Sequence, residues 1–343
     1  MRTATLLITL AFTCLSATAA TPVKVFILAG QSNMEGKAQI SLLEHQVKQP
    51  ETRKRFAHLV DENNRFTERK DVWIKFLNRK GNLAVGYGSP KRIGPELDFG
   101  HVIGDHYDEQ VLLIKTAWGG KSLFRDFRPP SSPEPTAEYV DRTFAKGQKK
   151  KRGKKPTKEE IRESFGHYYR LMISDVERTL ANLKTTFPAY HDQGYEIAGF
   201  VWFQGFNDMI NAEATAAYAE HMANFIRDVR KDLGTPELPF VIGQLGVGGT
   251  KSKKPNPGRD TFKANQIKPA SLPEFKGNVG VVKTDQFWDE TAQAVFDKGW
   301  KENLELWQTV GSDRPYHYLG STFTYCDIGR AFGREILRLT EVK

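Results

Sequence analysis

The run Val25-Phe26-Ile27-Leu28-Ala29 stops abruptly at Gly30-Gln31-Ser32. A serine at the C-terminal edge of a strand stands where open α/β sheets bind ligands, and its hydroxyl there is a candidate nucleophile. The same residue type also suits a helix N-cap. Three further segments carry compatible chemistry. Ala117-Trp118-Gly119-Gly120 follows another apolar run, and its glycines let a backbone N–H approach a ligand closely, or simply make a turn. Gln204-Gly205-Phe206-Asn207-Asp208 follows a third run. The Asn207 amide can donate to a developing oxyanion, or it can form an Asx turn. Asp208 is expected to cap the next helix. Pro315-Tyr316-His317-Tyr318-Leu319-Gly320-Ser321 holds the only histidine after His221. A nucleophile, a base and oxyanion donors together make the equipment for acyl transfer.

These segments need a scaffold that delivers them to one edge. Apolar runs at 24–29, 110–116, 197–203, 239–245 and 279–283 read as strands, and the continuous Val/Leu/Ile run in the second marks a strand covered on both faces. Helical spacing of apolar residues predicts helices over 95–107, 161–183, 212–233 and 319–339. Alternating strands and helices imply a three-layer α/β/α sandwich with a mostly parallel five-stranded sheet in a single domain over 21–343. Residues 37–91, with a short helix near 40–47, and residues 121–158 read as polar insertions. Trp73, Trp118, Phe206 and Trp288 are candidates for stacking on a ligand, and each also suits the core.

Residues 1–20 have the pattern of a cleaved signal peptide: Arg2, an apolar stretch and the small-residue site Ala17-Thr18-Ala19. The expected location is secreted or periplasmic, with no integral membrane segment after cleavage. Of the two cysteines, Cys14 lies in this leader and Cys326 remains alone. An intramolecular disulfide is therefore excluded, and Cys326 is expected as a small buried hydrophobe in the last helix. No His-x-x-x-His pair or cluster has ligand spacing, so no metal or other cofactor is expected; His101, Asp105 and His106 read as packing or surface residues. The formal charge is +9, with lysines gathered at 146–158 and 251–254. Such runs form solvated loops and could hold an anionic polymer. No stacking aromatics interleave them, which argues against a nucleic-acid partner.

Taken together, the four segments resemble the blocks of the SGNH hydrolase superfamily. Gly205-Phe206-Asn207-Asp208 fits its Gly-x-Asn-Asp block, and Gly30-Gln31-Ser32-Asn33-Met34, Trp118-Gly119-Gly120, Trp202-Phe203-Gln204-Gly205 and the His317 segment are similar to the sialate O-acetylesterase, or carbohydrate esterase family 6, branch. The resemblance implies a flavodoxin-like sheet and removal of acetyl groups from a carbohydrate (xylan, a pectin-like polymer or sialic acid). It implies Ser32 as nucleophile, His317 as general base, and an oxyanion hole built from the N–H groups of Ser32 and Gly120 with the Asn207 side chain. The family's acid stands three residues before the histidine, where this chain has Arg314. Asp313, four residues before, is the nearest carboxylate, with Asp285 and Asp289 as alternatives and a Ser–His dyad as a further one. Gln31, Trp118 and Gln204, inside the same blocks, are the expected substrate-binding residues. A non-catalytic carbohydrate-binding protein on a degenerate scaffold is the alternative reading.

Overall fold

The computed structural model describes residues 21–149, 153–251 and 256–341. The expected leader and the segments 150–152 and 252–255 within the lysine-rich loops lie outside the described residues.

Seven strands form the main sheet: β1 (Val23–Gly30), β2 (Arg69–Phe76), β3 (Arg79–Leu83), β4 (Val111–Ala117), β5 (Tyr195–Phe203), β6 (Phe240–Gln244) and β7 (Val279–Lys283). Their spatial order is β3-β2-β4-β1-β5-β6-β7. All neighbours run parallel except the β2–β3 hairpin. The five strands expected from the apolar runs are present and, counted alone, have the flavodoxin order 2-1-3-4-5.

The expected count of five is too low, because β2 and β3 lie inside the segment read as a polar insertion. Their sequence disguises them. Arg69, Lys70 and Asp71 open β2 with charge, and only Val72, Trp73, Ile74 and Phe76 are buried. β3 is an outer strand of sequence Arg-Lys-Gly-Asn-Leu, and charge on an edge strand keeps it from pairing with another chain.

Six longer helices cover the sheet or the site: α1 (Glu96–His106), α2 (Ala137–Gln148), α3 (His167–Ala181), α4 (Ala212–Asp232), α5 (Pro257–Ile267) and α6 (Thr322–Glu341). Alternate strand residues feed two cores. Val25, Ile27, Leu112, Ile114, Phe200 and Trp202 pack beneath α3 and α4. Phe26, Leu28, Leu113, Val201 and Phe203 pack against Phe99 and Ile103 of α1 and Ile328, Phe332 and Ile336 of α6. Every β4 residue is buried, Lys115 and Thr116 included, which is why its Val-Leu-Leu-Ile run shows no alternation. Cys326 is buried within α6.

Two helix expectations need correction. The segment 121–158 is not irregular throughout, since α2 starts at Thr136, whose side chain caps the Tyr139 N–H. The helix expected over 161–183 is broken at Gly166 (φ 66°) into Lys158–Glu163 and α3. Trp73 and Trp288 are core residues; Trp73 stacks on Phe187 with ring planes 5° apart.

β1 is the switch point of the sheet. The chain passes to one side of it for β4 and to the other for β5, and Gly30 is level with both Ala117 and Phe203. The loops after β1, β4 and β5 therefore open at one place, the position where such sheets bind ligands.

Candidate active site

Ser32 leaves β1 through a constriction. Gly30 has φ 154°, and a methyl group on it would fall 2.2 Å from the Phe203 carbonyl oxygen. The Trp118 N–H donates to the Gly30 carbonyl (3.1 Å) and the Gln31 N–H to that of Phe203 (3.3 Å). The chain then makes one helical turn, Ser32–Glu35, whose N-cap position is Gln31. Ser32 is thus inside the turn, not its cap. It is 7 % exposed, and among the described residues its Oγ makes no hydrogen bond.

The histidine arrives on a distorted 3₁₀ turn, Pro315–Gly320, in which Tyr318 (φ 50°) and Leu319 (φ 58°) take the left-handed conformation that non-glycine residues avoid. The Ser312 and Asp313 N–H groups both donate to the Leu319 carbonyl (2.8 and 3.0 Å), and Ser312 Oγ donates to that of Gly320 (2.7 Å). This closure folds the imidazole back onto Asp313, with Nδ1 to Oδ1 at 3.1 Å. Burial pushes the Asp313 carboxyl up, but hydrogen bonds from His317 and the Arg314 N–H, with the Arg92 charge nearby, outweigh it and hold the group below the ordinary carboxylate range. An ionised Asp313 accepts a proton-bearing Nδ1, which leaves Nε2 as the basic nitrogen.

Neither alternative acid reaches the ring. Asp285 pairs with Lys263. Asp289 caps the helix Glu290–Asp297 through the Ala292 N–H (2.9 Å) and accepts from Ser321 Oγ (2.6 Å).

Asn33 joins the two halves. Its Nδ2 donates to the Tyr316 carbonyl (3.2 Å), and its Oδ1 accepts from Tyr325 Oη (3.0 Å), which also lies 3.4 Å from the His317 carbonyl. The residue after Ser32 is thereby tied to the residue before His317. This bracket has no local signature, because it links positions 283 apart through an ordinary buried asparagine.

The oxyanion side is assembled from the other two loops. Gly120 is exposed, has φ 72° and would meet nothing within 4 Å if it carried a methyl group. The Gly119 N–H is already bound by Glu35 Oε1 at 2.6 Å. Asn207 Oδ1 accepts from Gln31 Nε2 (3.3 Å), which fixes the amide with its NH₂ away from Gln31.

Gln31 and Gln204, the expected substrate-binding residues, turn their amides into the protein. They are 3 % and 1 % exposed. Gln31 Oε1 accepts from Gln204 Nε2 (3.1 Å) and the Gly205 N–H (3.2 Å), while Gln204 Nε2 also reaches the Lys121 carbonyl and Asp208. Their amides brace the loops from within. Asp208 is not a helix cap either; Asn211 caps α4 through the Ala214 N–H. The buried Asp208 carboxylate accepts from the Leu123 and Phe124 N–H groups (both 2.9 Å) and from Gln204 Nε2 (2.6 Å). Burial pushes its pKa up to about 6 against those bonds.

Trp118 stays partly open, edge-on to Tyr168 at 5.3 Å, with Lys121 Nζ 4.3 Å from the centre of the Tyr168 ring. Beside His317, Phe206 pairs with Tyr316 at 5.6 Å, and Tyr316 is 42 % exposed.

A family model described as carbohydrate esterase, sialic acid-specific acetylesterase, matches residues 22–290. The chain belongs to this family. The match spans the Ser32, Gly120 and Asn207 segments and ends before Asp313 and His317. A probable carbohydrate esterase from Arabidopsis thaliana, At4g34215, is 32 % identical over 56 residues, a stretch spanning 16 % of this chain and 22 % of the plant protein. The X-ray structure of Arabidopsis thaliana AT4G34215 superposes with a TM-score of 0.52 at 17 % identity, covering 92 % of this chain and 98 % of that one. XAC1771, a carbohydrate acetylesterase from Xanthomonas citri, gives 0.50 at 14 % identity, covering 93 % and 57 %. At these identities the structures speak for a shared fold.

Sequence reasoning overlooked Glu35 in this esterase-family site. Besides the Gly119 N–H, its carboxylate binds Lys37 Nζ (2.6 Å) and Ser89 Oγ (2.9 Å). Burial pushes its pKa up, and Lys37, Ser89 and Gly119 more than offset that, so it is held below the ordinary value. Glu35 stands three residues after Ser32, one helical turn on. That spacing was available as a signal, but the partners lie at 89 and 119 and left no trace in the local pattern.

Proposed function

We propose that the protein is an exported carbohydrate O-acetylesterase that works through a Ser32–His317–Asp313 acyl-enzyme mechanism. The observation that supports this reading is the Asn33 bracket, which ties the residue after Ser32 to the residue before His317, whose ring bonds Asp313. His317 Nε2 takes the Ser32 proton as Oγ attacks the acetyl carbonyl carbon. The carbonyl oxygen becomes an oxyanion facing the Ser32 and Gly120 N–H groups and the Asn207 NH₂. Collapse breaks the ester C–O bond, the departing sugar oxygen takes the proton from His317 and leaves as a hydroxyl, and acetyl-Ser32 remains. Water then attacks with its proton passing to His317, and acetate departs as Ser32 is restored. Among the described residues Ser32 Oγ and His317 Nε2 share no hydrogen bond, so the mechanism requires them to come within reach when substrate binds, as contacts in acyl-transfer sites tighten in the loaded complex.

Trp118 and Tyr168 on one side, and Phe206 and Tyr316 on the other, supply apolar ring faces suited to the C–H faces of sugars. Tyr316→Ala should raise KM for an acetylated oligosaccharide about tenfold, with kcat within about threefold, since one such contact is worth roughly 1–1.5 kcal/mol. A KM equal to that of wild type would remove Tyr316 from the binding surface. Asn207→Ala should lower kcat about 10²–10³-fold with little change in KM, the cost of one oxyanion donor. Steady-state rates on p-nitrophenyl acetate measure this, and a kcat within threefold of wild type would discard that donor.

The function itself is tested by assaying acetate release from acetylated xylan, acetylated pectin and O-acetylated sialic acid, alongside p-nitrophenyl acetate. Turnover on at least one saccharide is expected. Saturable binding with no acetate release from any of them would establish the non-catalytic alternative. Export is tested by sequencing the N-terminus of the protein recovered outside the cytoplasm, expected to begin near Thr21.

A further inference from the structure

We propose that Glu35 is a positioning residue that holds the Gly119–Gly120 turn in the orientation needed for oxyanion binding. The inference rests on the esterase reading above and adds a residue that reading does not use. Gly119 and Gly120 are both exposed, and a Gly-Gly pair has more backbone freedom than any other dipeptide. An oxyanion donor has value only if its direction is fixed before charge develops. Something must therefore immobilise the turn, and the structure offers one strong contact, the 2.6 Å bond from the Gly119 N–H to Glu35 Oε1. With that N–H turned onto Glu35, the next N–H, that of Gly120, makes no hydrogen bond among the described residues and is left for an oxyanion. A methyl group placed at Gly119 would lie 3.5 Å from Glu35 Oε1 and 3.7 Å from Ser32 Cβ, so the turn, the carboxylate and the nucleophile are in contact range of one another.

Glu35 is itself pinned from three directions. Lys37 Nζ and Ser89 Oγ hold Oε2 at 2.6 and 2.9 Å. Its backbone carbonyl accepts from Lys115 Nζ at 2.7 Å. Lys115 is wholly buried in β4, and its ammonium also binds the Tyr87 carbonyl (2.9 Å) and Glu96 Oε2 (2.7 Å). A charged group buried at the centre of a sheet is costly unless its partners are fixed, so the anchor is rigid. Glu35 sits one turn after Ser32 on the same short helix. The nucleophile and the clamp on its oxyanion donor thus move as one body.

Reach separates this role from a purely electrostatic one. Glu35→Gln keeps an oxygen that can accept from Gly119, while Glu35→Asp keeps the charge beside Lys37 but is one methylene too short. We expect Glu35→Gln to retain kcat on p-nitrophenyl acetate within about tenfold of wild type. Glu35→Asp should lose about 10²-fold in kcat with KM within threefold, the scale of losing one oxyanion donor. The reverse order, Asp above Gln, would overturn the proposal, as would a kcat within threefold of wild type in Glu35→Asp. Thermal unfolding of both variants is recorded in parallel, and a kcat loss that tracks the drop in Tm across the two also overturns it. Failure of the esterase reading is distinguishable, because it would leave the wild type inactive or its rate insensitive to Ser32→Ala.

Discussion

Ser32→Ala will lower kcat for p-nitrophenyl acetate by several orders of magnitude, up to about 10⁶-fold, without loss of the fold. The size follows from the mechanism. Removing the nucleophile forces direct attack by water on an ester, and what remains is substrate binding and oxyanion stabilisation, which in triad enzymes keep only about 10³–10⁴-fold over the uncatalysed rate. The stability cost is small because Ser32 Oγ has no hydrogen-bond partner among the described residues to lose. The backbone contacts of the turn, such as the Gly36 N–H to Ser32 carbonyl bond at 3.0 Å, do not involve the side chain. Mass spectrometry gives a second readout: acetyl-enzyme trapped at low pH should appear on wild type and be missing from the variant. A variant that hydrolyses the ester as fast as wild type would dismiss Ser32 as nucleophile and the acyl-enzyme with it.

Asp313→Asn should cost about 10⁴-fold in kcat. The reason is a proton in the wrong place. The Asp313 carboxylate can only accept, so His317 Nδ1 donates to it across 3.1 Å. An asparagine can turn its NH₂ toward Nδ1, which then becomes the acceptor, and the ring proton moves to Nε2, where it blocks the base. The pH dependence has a definite sign. Asp313's folded-state pKa is depressed. Its contribution is therefore complete above the ordinary carboxylate value and is lost as pH falls through the lowered one. Asp285→Asn is the control: it faces Lys263 and should leave kcat within about threefold. Asp313→Asn within tenfold of wild type, or Asp285→Asn as damaging as Asp313→Asn, would reject the assignment.

The legible part of this fold was the part with local physics. Strands buried on both faces cannot alternate, so β1, β4, β5, β6 and β7 announced themselves as apolar runs, and the loops that follow three of them converge at the switch point. The β2–β3 hairpin was hidden because an edge position demands charge, and charge in a strand looks like loop. Gln31 and Gln204 illustrate a different point. Polar residues in a motif invite a ligand, yet here their amides hydrogen-bond to each other and to loop backbone, which a buried polar group must do somewhere. Asp208 belongs with them. Its position after Gly205-Phe206-Asn207 was readable, but its three acceptor contacts come from residues 123, 124 and 204, and only folding brings those near. Asn33 and Glu35 were passed over for the same reason.

The stretch between β1 and α1 carries one more implication. Its Gln39 N–H donates to Ser312 Oγ at 3.0 Å, Gln46 Nε2 donates to the Thr309 carbonyl at 3.3 Å, and Ser89 meets Glu35. What looks in the sequence like surplus upholstery is the chassis on which the histidine arm is mounted. Protein engineers wishing to alter such a site should leave residues 37–46 and 89–93 intact.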